Sequence, residues 1–390
     1  MSKHKAVSLK FLFAASFLCQ MLMGAVGIAV PIYANRLNAS SFLVGLIGSA
    51  GGLIYSFMPL ISGVLCDRFK RKAFISASLL SYSLSCLLYS LVEQPYMLAL
   101  IRVLECSSIA AFWPAMEALV ADSAEVSLEE TLKKFNVSWG SALAIGPIVG
   151  GFLISMWSIR ATFLFSVWAA LSSGLLGFIL IVEPTRRGRV EAQPMNELKG
   201  DVGSKGSIAT ALSSIFLFSS IVGIIVSLFP SYATDLGILP FEIGCIAFGF
   251  GVARTLTFYE AYKIEARLGK LGMFLLGSFT LALASLLASA STSILVFLVC
   301  FIIFGFGSAI CYAASISFIL RRWGSSRGVA AGVFESLIGL GYFIGPLVGG
   351  IVSEHAPNAP FIYGFILSIV VLTFQLMFRG KSHKPSLARV

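Results

Sequence analysis

Twelve stretches of this chain, each long enough to cross a bilayer, carry almost no charge. A helix rises about 1.5 Å per residue, so about 20 apolar residues span the hydrocarbon core. Runs of that kind lie near 10–34, 42–66, 73–92, 96–120, 136–157 and 161–182, and again near 208–233, 241–262, 271–290, 293–320, 329–353 and 361–379. The residues are 57% hydrophobic and 12% charged, whereas an average soluble domain is about 25% charged. No single water-soluble core hides that much apolar surface. A bilayer does, provided the backbone satisfies its own hydrogen bonds within helices. The chain is therefore predicted to be an all-α membrane protein with twelve transmembrane helices. Its first run, Phe11 to Tyr33 behind Lys3, Lys5 and Lys10, outlasts the roughly 7–15 apolar residues of a secretory signal and reads as the first span.

The basic residues set an orientation. Of the 28 Lys and Arg, 24 fall in alternate loops or termini on one side. Arg36 and Arg160 lie on the other side, and Arg102 and Arg254 lie inside spans. Lys and Arg accumulate in cytoplasmic loops, so both termini are expected in the cytoplasm of a multi-pass plasma-membrane protein. The net charge of +10 sits in these short clusters, a pattern that points to the lipid bilayer as partner and away from nucleic acid. No C-x-x-C pair occurs among the seven cysteines, so neither a zinc site nor a disulfide framework is expected. His4, His355 and His383 lie outside the spans, and no phosphate-cradling G-x-x-x-x-G-K-[ST] loop is present. No metal, no cofactor and no enzymatic activity are expected.

The two sets of runs are related by duplication. Pro31, Tyr33 and Ala34 match Pro230, Tyr232 and Ala233, 199 residues later. Leu37, Phe42, Gly45 and Arg68 match Leu236, Phe241, Gly244 and Arg267 in the same register. Ile145 to Gly151 match Ile344 to Gly350, and Gly140 matches Gly339. This predicts two six-helix bundles, residues 1–185 and 208–390, joined by a linker at 186–207. An even number of spans gives both copies the same topology, so an axis along the membrane normal relates them, with a cleft between.

At residues 63–72 the sequence Gly-Val-Leu-Cys-Asp-Arg-Phe-Lys-Arg-Lys resembles the loop signature G-x-x-x-D-R-x-G-R-R/K of the major facilitator superfamily of secondary transporters. It departs at Lys70, where the family usually has glycine, and the second-half counterpart has Ala266 where Asp67 stands in the first. The resemblance implies a latch on the cytoplasmic side: Gly63, Asp67 and Arg68 in the loop, Asp67 against a helix N-terminus of the other half, and Arg71 paired with Asp122. Setting topology is the alternative role for these charges. Gly146, Pro147, Gly150 and Gly151 in span five are similar to the glycine-proline motif of the family's drug/proton antiporter branch. Span eleven repeats the motif as Gly345, Pro346, Gly349 and Gly350. With Gly140 and Gly339, these residues are expected to serve as hinges or as close helix contacts.

Ionisable residues at membrane depth are costly and default to functional candidates. Arg102 and Glu105 are three apart in span four, and Ser108 and Glu117 extend a polar face. The stretch from Arg102 to Cys106 resembles the family's span-four R-x-x-x-G motif, which implies proton coupling; mutual neutralisation within the bundle is the alternative. Arg254 in span eight is a candidate for an anionic solute or an acid of the other half, and Glu335, at the start of span eleven, for a gating contact. Tyr33, Tyr55, Phe112, Trp113, Tyr232 and Tyr342 are candidate cleft aromatics. The expected function is secondary transport by alternating access in a monomer, coupled to protons, exporting a small hydrophobic or drug-like solute. Uptake of a sugar or organic anion, and a non-transporting sensor on the same scaffold, are the alternatives.

Overall fold

The computed structural model describes residues 3–68, 70–123, 128–182, 205–322 and 327–379. Its helices are α1 (Lys3–Arg36), α2 (Ser41–Tyr55), α3 (Met58–Arg68), α4 (Arg71–Ser90), α5 (Pro95–Asp122), α6 (Leu128–Met156), α7 (Ile159–Leu180), α8 (Lys205–Ser227), α9 (Phe229–Asp235), α10 (Pro240–Ser289), α11 (Ile294–Arg322), α12 (Arg327–Ser353) and α13 (Ala359–Arg379). Joining α2 with α3 and α8 with α9 gives eleven elements long and apolar enough to cross a membrane. The 50-residue α10 crosses twice, giving twelve spans. Most of the expected linker, 186–207, lies outside the described residues, and α8 already begins at Lys205.

Local chemistry sets these boundaries. The Ser40 and Ser158 hydroxyls accept from the backbone N–H groups of Leu43 and Ala161 and cap α2 and α7. Pro95, Pro230 and Pro240 open α5, α9 and α10, where a missing N–H costs nothing. A loop is predicted at 263–270. Instead the helix winds on to Leu268 and turns only at Gly269, whose φ of 68° and ψ of 173° fall where only glycine is comfortable. The outer wall carries large exposed apolar residues, among them Leu100, Ile179 and Leu295.

The duplication is written into the helix crossings residue by residue. Within the first half, a Cβ on Gly24 of α1 would meet Pro147 Cδ at 2.8 Å; within the second, one on Gly223 of α8 would meet Pro346 Cδ at 2.9 Å. Gly146 lies on Met21 and Gly24, as Gly345 lies on Ser220. Gly150 lies on Ala25, as Gly349 lies on Ile224 and Leu228. Between the halves, α2 crosses α12 and α10 crosses α6 in matching register. Gly45 meets Pro346 and Gly350 while Gly244 meets Pro147, Gly151 meets Pro240 while Gly350 meets Ser41, and Gly339 meets Ser56 while Gly140 meets Thr255. The glycine-proline segments thus bind each half internally on one face and to the opposite half on another.

These crossings hold the halves together on the face away from the basic loops. There Asn35 Nδ2 donates to Asp235 Oδ1 at 2.7 Å. Phe42 N–H donates to Glu354 Oε1 at 2.7 Å, and its duplicated mate Phe241 N–H donates to Ser155 Oγ at 3.0 Å. Beyond Ser56 and Thr255 no further glycine crossing joins the halves among the described residues, and α3 makes only a small contact with α12. The polar interior between the halves on this side, toward the basic loops, is the cleft.

Candidate functional site

Where these crossings end, five helices bring polar side chains to the cleft. Glu335 of α12 interacts electrostatically with Glu117 of α5, Arg254 of α10 and Tyr55 of α2. Tyr312 of α11 and Tyr342 of α12 complete the cluster, each within reach of both Arg254 and Glu335. Glu117 is exposed, yet it interacts with α11 and α12 of the opposite half. Its exposed surface therefore faces the cleft and not lipid. The Arg254 guanidinium lies over three rings, Phe250 at 5.8 Å, Phe258 at 5.5 Å and Tyr312 at 5.8 Å. Aromatic faces partly replace the water that the cation has lost. Its buried Nε has no hydrogen-bond partner, so one donor is left over. Among the described residues the cluster holds two carboxylates and one guanidinium.

Arg102 and Glu105 form a second polar site, sealed inside the first half. Arg102 Nη1 donates to Glu105 Oε2 at 2.7 Å, and the Tyr89 hydroxyl of α4 donates to the same oxygen at 2.7 Å. Glu105 is only 1% exposed. Gly51 of α2 packs on Cys106 and Arg102. The expectation of one continuous polar face on span four needs correction. Ser108 donates to Ser81 of α4, so Glu105 and Ser108 face α4. Glu117, about 120° further round the helix, faces the cleft instead.

Other expected positions are redistributed by packing. Arg71 of α4 pairs with Asp122 of α5 and also donates to the Ala118 carbonyl at 3.1 Å. Both partners belong to the first half, so this pair joins neighbouring helices of one bundle. The side chains of Gly63, Asp67 and Arg68 lie outside the described residues. Glu335 is not a first-turn residue, because α12 begins eight positions earlier at Arg327. Tyr33 and Phe112 are core residues: the Tyr33 hydroxyl donates to the Val92 carbonyl at 2.6 Å, and Phe112 is 1% exposed. Trp113 packs against Phe135 and Trp139, and Tyr232 packs with Phe297 and Phe361 near the face away from the basic loops. Tyr55 and Tyr342 do line the cleft. Tyr312 was not among the expected residues, although one signal marked it. It is the duplicated mate of Trp113, and the site residues are places where the copies disagree: Tyr55 with Arg254, Glu335 with Asn136, Glu117 with Ile316. Among the described residues no group of His, Cys, Asp and Glu is placed to hold a metal ion.

The family model for the Major Facilitator Superfamily matches residues 12–253 and 211–389. Multidrug resistance protein 1 of Bacillus subtilis is 24% identical over 98% of both chains. Quinolone resistance protein NorA of Staphylococcus aureus is 24% identical over 95% of this chain and 96% of its own. An uncharacterized MFS-type transporter of Methanocaldococcus jannaschii is 26% identical over 92% of this chain and 95% of its own. Among solved structures, a bacterial homolog of the human lysosomal transporter Spinster, inward-facing and occupied, superposes with a TM-score of 0.79 at 14% identity over the whole of both chains. The nucleoside transporter NupG superposes with a TM-score of 0.74 at 15% identity, over 97% of this chain and 99% of its own. With a duplicated six-helix bundle and a family match along nearly its full length, the chain belongs to the major facilitator superfamily of membrane transporters.

Proposed function

We propose that the chain is a proton-coupled antiporter that exports small hydrophobic or drug-like solutes by alternating access. The carrying observation is the imbalance among the described residues of the cleft, where Glu117 and Glu335 interact with one guanidinium, that of Arg254. An unmatched carboxylate at membrane depth is costly, so it recruits either a proton or a cationic group on a solute. Occupancy by one excludes the other, and that exclusion is what couples opposite fluxes. Multidrug and quinolone resistance proteins among the relatives support efflux. In this reading the basic face lies in the cytoplasm, with both termini and the linker between bundles 1–185 and 208–390, and the protein works as a plasma-membrane monomer.

The test uses protein reconstituted in liposomes under an imposed pH gradient, with a fluorescent lipophilic cation as probe. Wild type is expected to move the probe against the proton flow. Glu335→Gln is expected to lose the gradient-driven part at least tenfold, since general losses of an essential titrating group exceed that size. Gradient-independent movement in wild type would remove proton coupling. One observation favours a second reading: the free buried Nε of Arg254 suits an anionic solute. Uptake of a small organic anion, lost in Arg254→Ala while neutral and cationic probes are unaffected, would select it.

A further inference from the structure

On the face away from the basic loops a cavity of about 50 Å³ lies on the seam between the halves. None of its lining residues belongs to the cleft cluster. Val44 of α2 closes its floor from the first half; Ile224 of α8, Leu228 just before α9 and Phe361 of α13 close it from the second. All four are buried. The rim is polar: Ser41 of α2, Ser231 and Asp235 of α9, and Ser353 at the end of α12, together with Tyr232. Asp235 is exposed, so the cavity is reached from solution on that face.

The duplication sets this rim apart from packing. At the matching positions of the other copy, Pro240 stands for Ser41, Ile32 for Ser231, Ile154 for Ser353 and Arg36 for Asp235. Every hydroxyl has an apolar mate and the acid has a basic one, so the helical frame does not require this polarity. Asn35 of the first half orients the acid: its Nδ2 donates to Asp235 Oδ1 at 2.7 Å and to Ser231 Oγ at 3.3 Å. Among the described residues no ion pair includes Asp235. The connections of the second half on this face carry Asp235, Glu242 and Glu354 and no Lys or Arg, a field that draws cations.

We infer that this cavity binds a primary alkylammonium group and, when filled, ties the two halves together. Such a group carries three N–H donors, which suit the Asp235 carboxylate and the rim hydroxyls, while its carbon chain covers the apolar floor. An inorganic cation leaves that floor unused. Pockets for whole drug-sized ligands measure about 300–1,000 Å³, so this one takes the amine end of a solute and not its body. Ser41 and Val44 come from one half and the remaining lining from the other. A ligand touching both binds only while they meet and stabilises that state. A free amine and the headgroup of phosphatidylethanolamine share this chemistry. In the efflux reading above, an amine released on this side returns to the cavity and slows further export; that consequence rests on the transport reading, and the binding does not.

Amide hydrogen exchange at Phe42 tests this, because its N–H is held across the halves by Glu354, beside Ser353. The full-length protein is placed in phosphatidylcholine nanodiscs, which carry no primary ammonium, and titrated with butylammonium at neutral pH. At ten times the dissociation constant, exchange at Phe42 is expected to slow about tenfold. Neutral 1-butanol and tetramethylammonium, which has no N–H, should leave it unchanged. Asp235→Asn keeps an acceptor for Asn35 and should weaken butylammonium about tenfold, the size of one hydrogen bond to an ionised acceptor. The comparison of probes uses wild type alone, so misfolding cannot mimic it. Protection by 1-butanol or tetramethylammonium equal to that by butylammonium overturns the inference, as does undiminished binding in Asp235→Asn or an unprotected Phe42. Discs containing phosphatidylethanolamine, without added amine, separate the sources: slowed exchange there assigns the lipid headgroup, and unchanged exchange assigns the free amine. No arm reads flux, so a failure of proton coupling or export leaves this result standing, and the reverse.

Discussion

Gly52→Ala offers a measurement of how tightly the two halves must meet on the face away from the basic loops. The added Cβ would lie 2.3 Å from the Tyr342 carbonyl carbon, 2.3 Å from Phe343 N and 2.5 Å from the Tyr342 oxygen. All three are backbone atoms of α12 and cannot rotate away. Carbon contacts are comfortable near 3.5 Å, so the helices must part by about 1.2 Å. Overpacking of this kind costs about 1–3 kcal/mol. The penalty falls on the conformation in which the halves meet here, so at about 1.4 kcal/mol per tenfold the equilibrium should shift about five- to hundredfold toward their parting. Two amides report this contact directly. Phe42 N–H is held by Glu354 and Phe241 N–H by Ser155, each across the halves. In Gly52→Ala both should exchange faster by that factor. Gly251→Ala, the mate, meets Ala144 Cα at 2.6 Å and should act less strongly. Gly27→Ala, with nothing within 4 Å, should leave both amides protected. Unchanged exchange at Phe42 in Gly52→Ala would refute the claim that this crossing is rigid and obligatory.

Two further substitutions separate structural from functional roles. Glu105→Gln leaves Arg102 as a buried, unpaired cation and should cost about 3–5 kcal/mol of stability, read as a lowered Tm in detergent. Replacing Arg102 by Met in the same chain should recover most of it, and an unchanged Tm in the single variant would argue against a structural charge pair. Gly269→Ala places a side chain at φ 68° and ψ 173°, a region essentially confined to glycine, and should cost about 1–3 kcal/mol. No atom lies within 4 Å of its added Cβ, so the loss is backbone strain alone, and a wild-type Tm would show that the turn relaxes freely.

The spans and the duplication were legible because both are properties of the sequence taken locally. Apolar run length reports bilayer thickness, and Ile145 to Gly151 recurring as Ile344 to Gly350 reports common descent of two bundles. The break after Tyr55 was not read, although Pro59 was in view, because proline inside membrane helices is often absorbed without a break. Pro31 in α1, Pro114 in α5, Pro147 in α6 and Pro346 in α12 all are. The helical continuation through 263–268 was hidden by the polarity of Lys263, Glu265 and Arg267, which marks an exposed surface and not an unwound one. The cleft cluster was harder still. Its members come from α2, α5, α10, α11 and α12, and which of their faces meet depends on packing that no local pattern encodes.

What the duplication does encode is where to look. A copied bundle packed about an axis starts with two equivalent crossings, and equivalence alone gives a seal but no reason for a proton to act on it. The crossing residues kept that equivalence: Gly24 with Gly223, Gly45 with Gly244, Pro147 with Pro346. The charged residues did not. Glu105 faces its mate Phe304 only in alignment, as Glu117 does Ile316 and Glu335 does Asn136. A carboxylate costs several kcal/mol when buried unpaired, so an acid retained in one copy against an apolar or neutral mate marks a position that packing alone does not require. Conserved glycines and divergent acids thus separate the frame from the chemistry within a single sequence, and the same subtraction isolates Tyr55 and Arg254, which stand at one position of the frame and face the cleft from opposite halves.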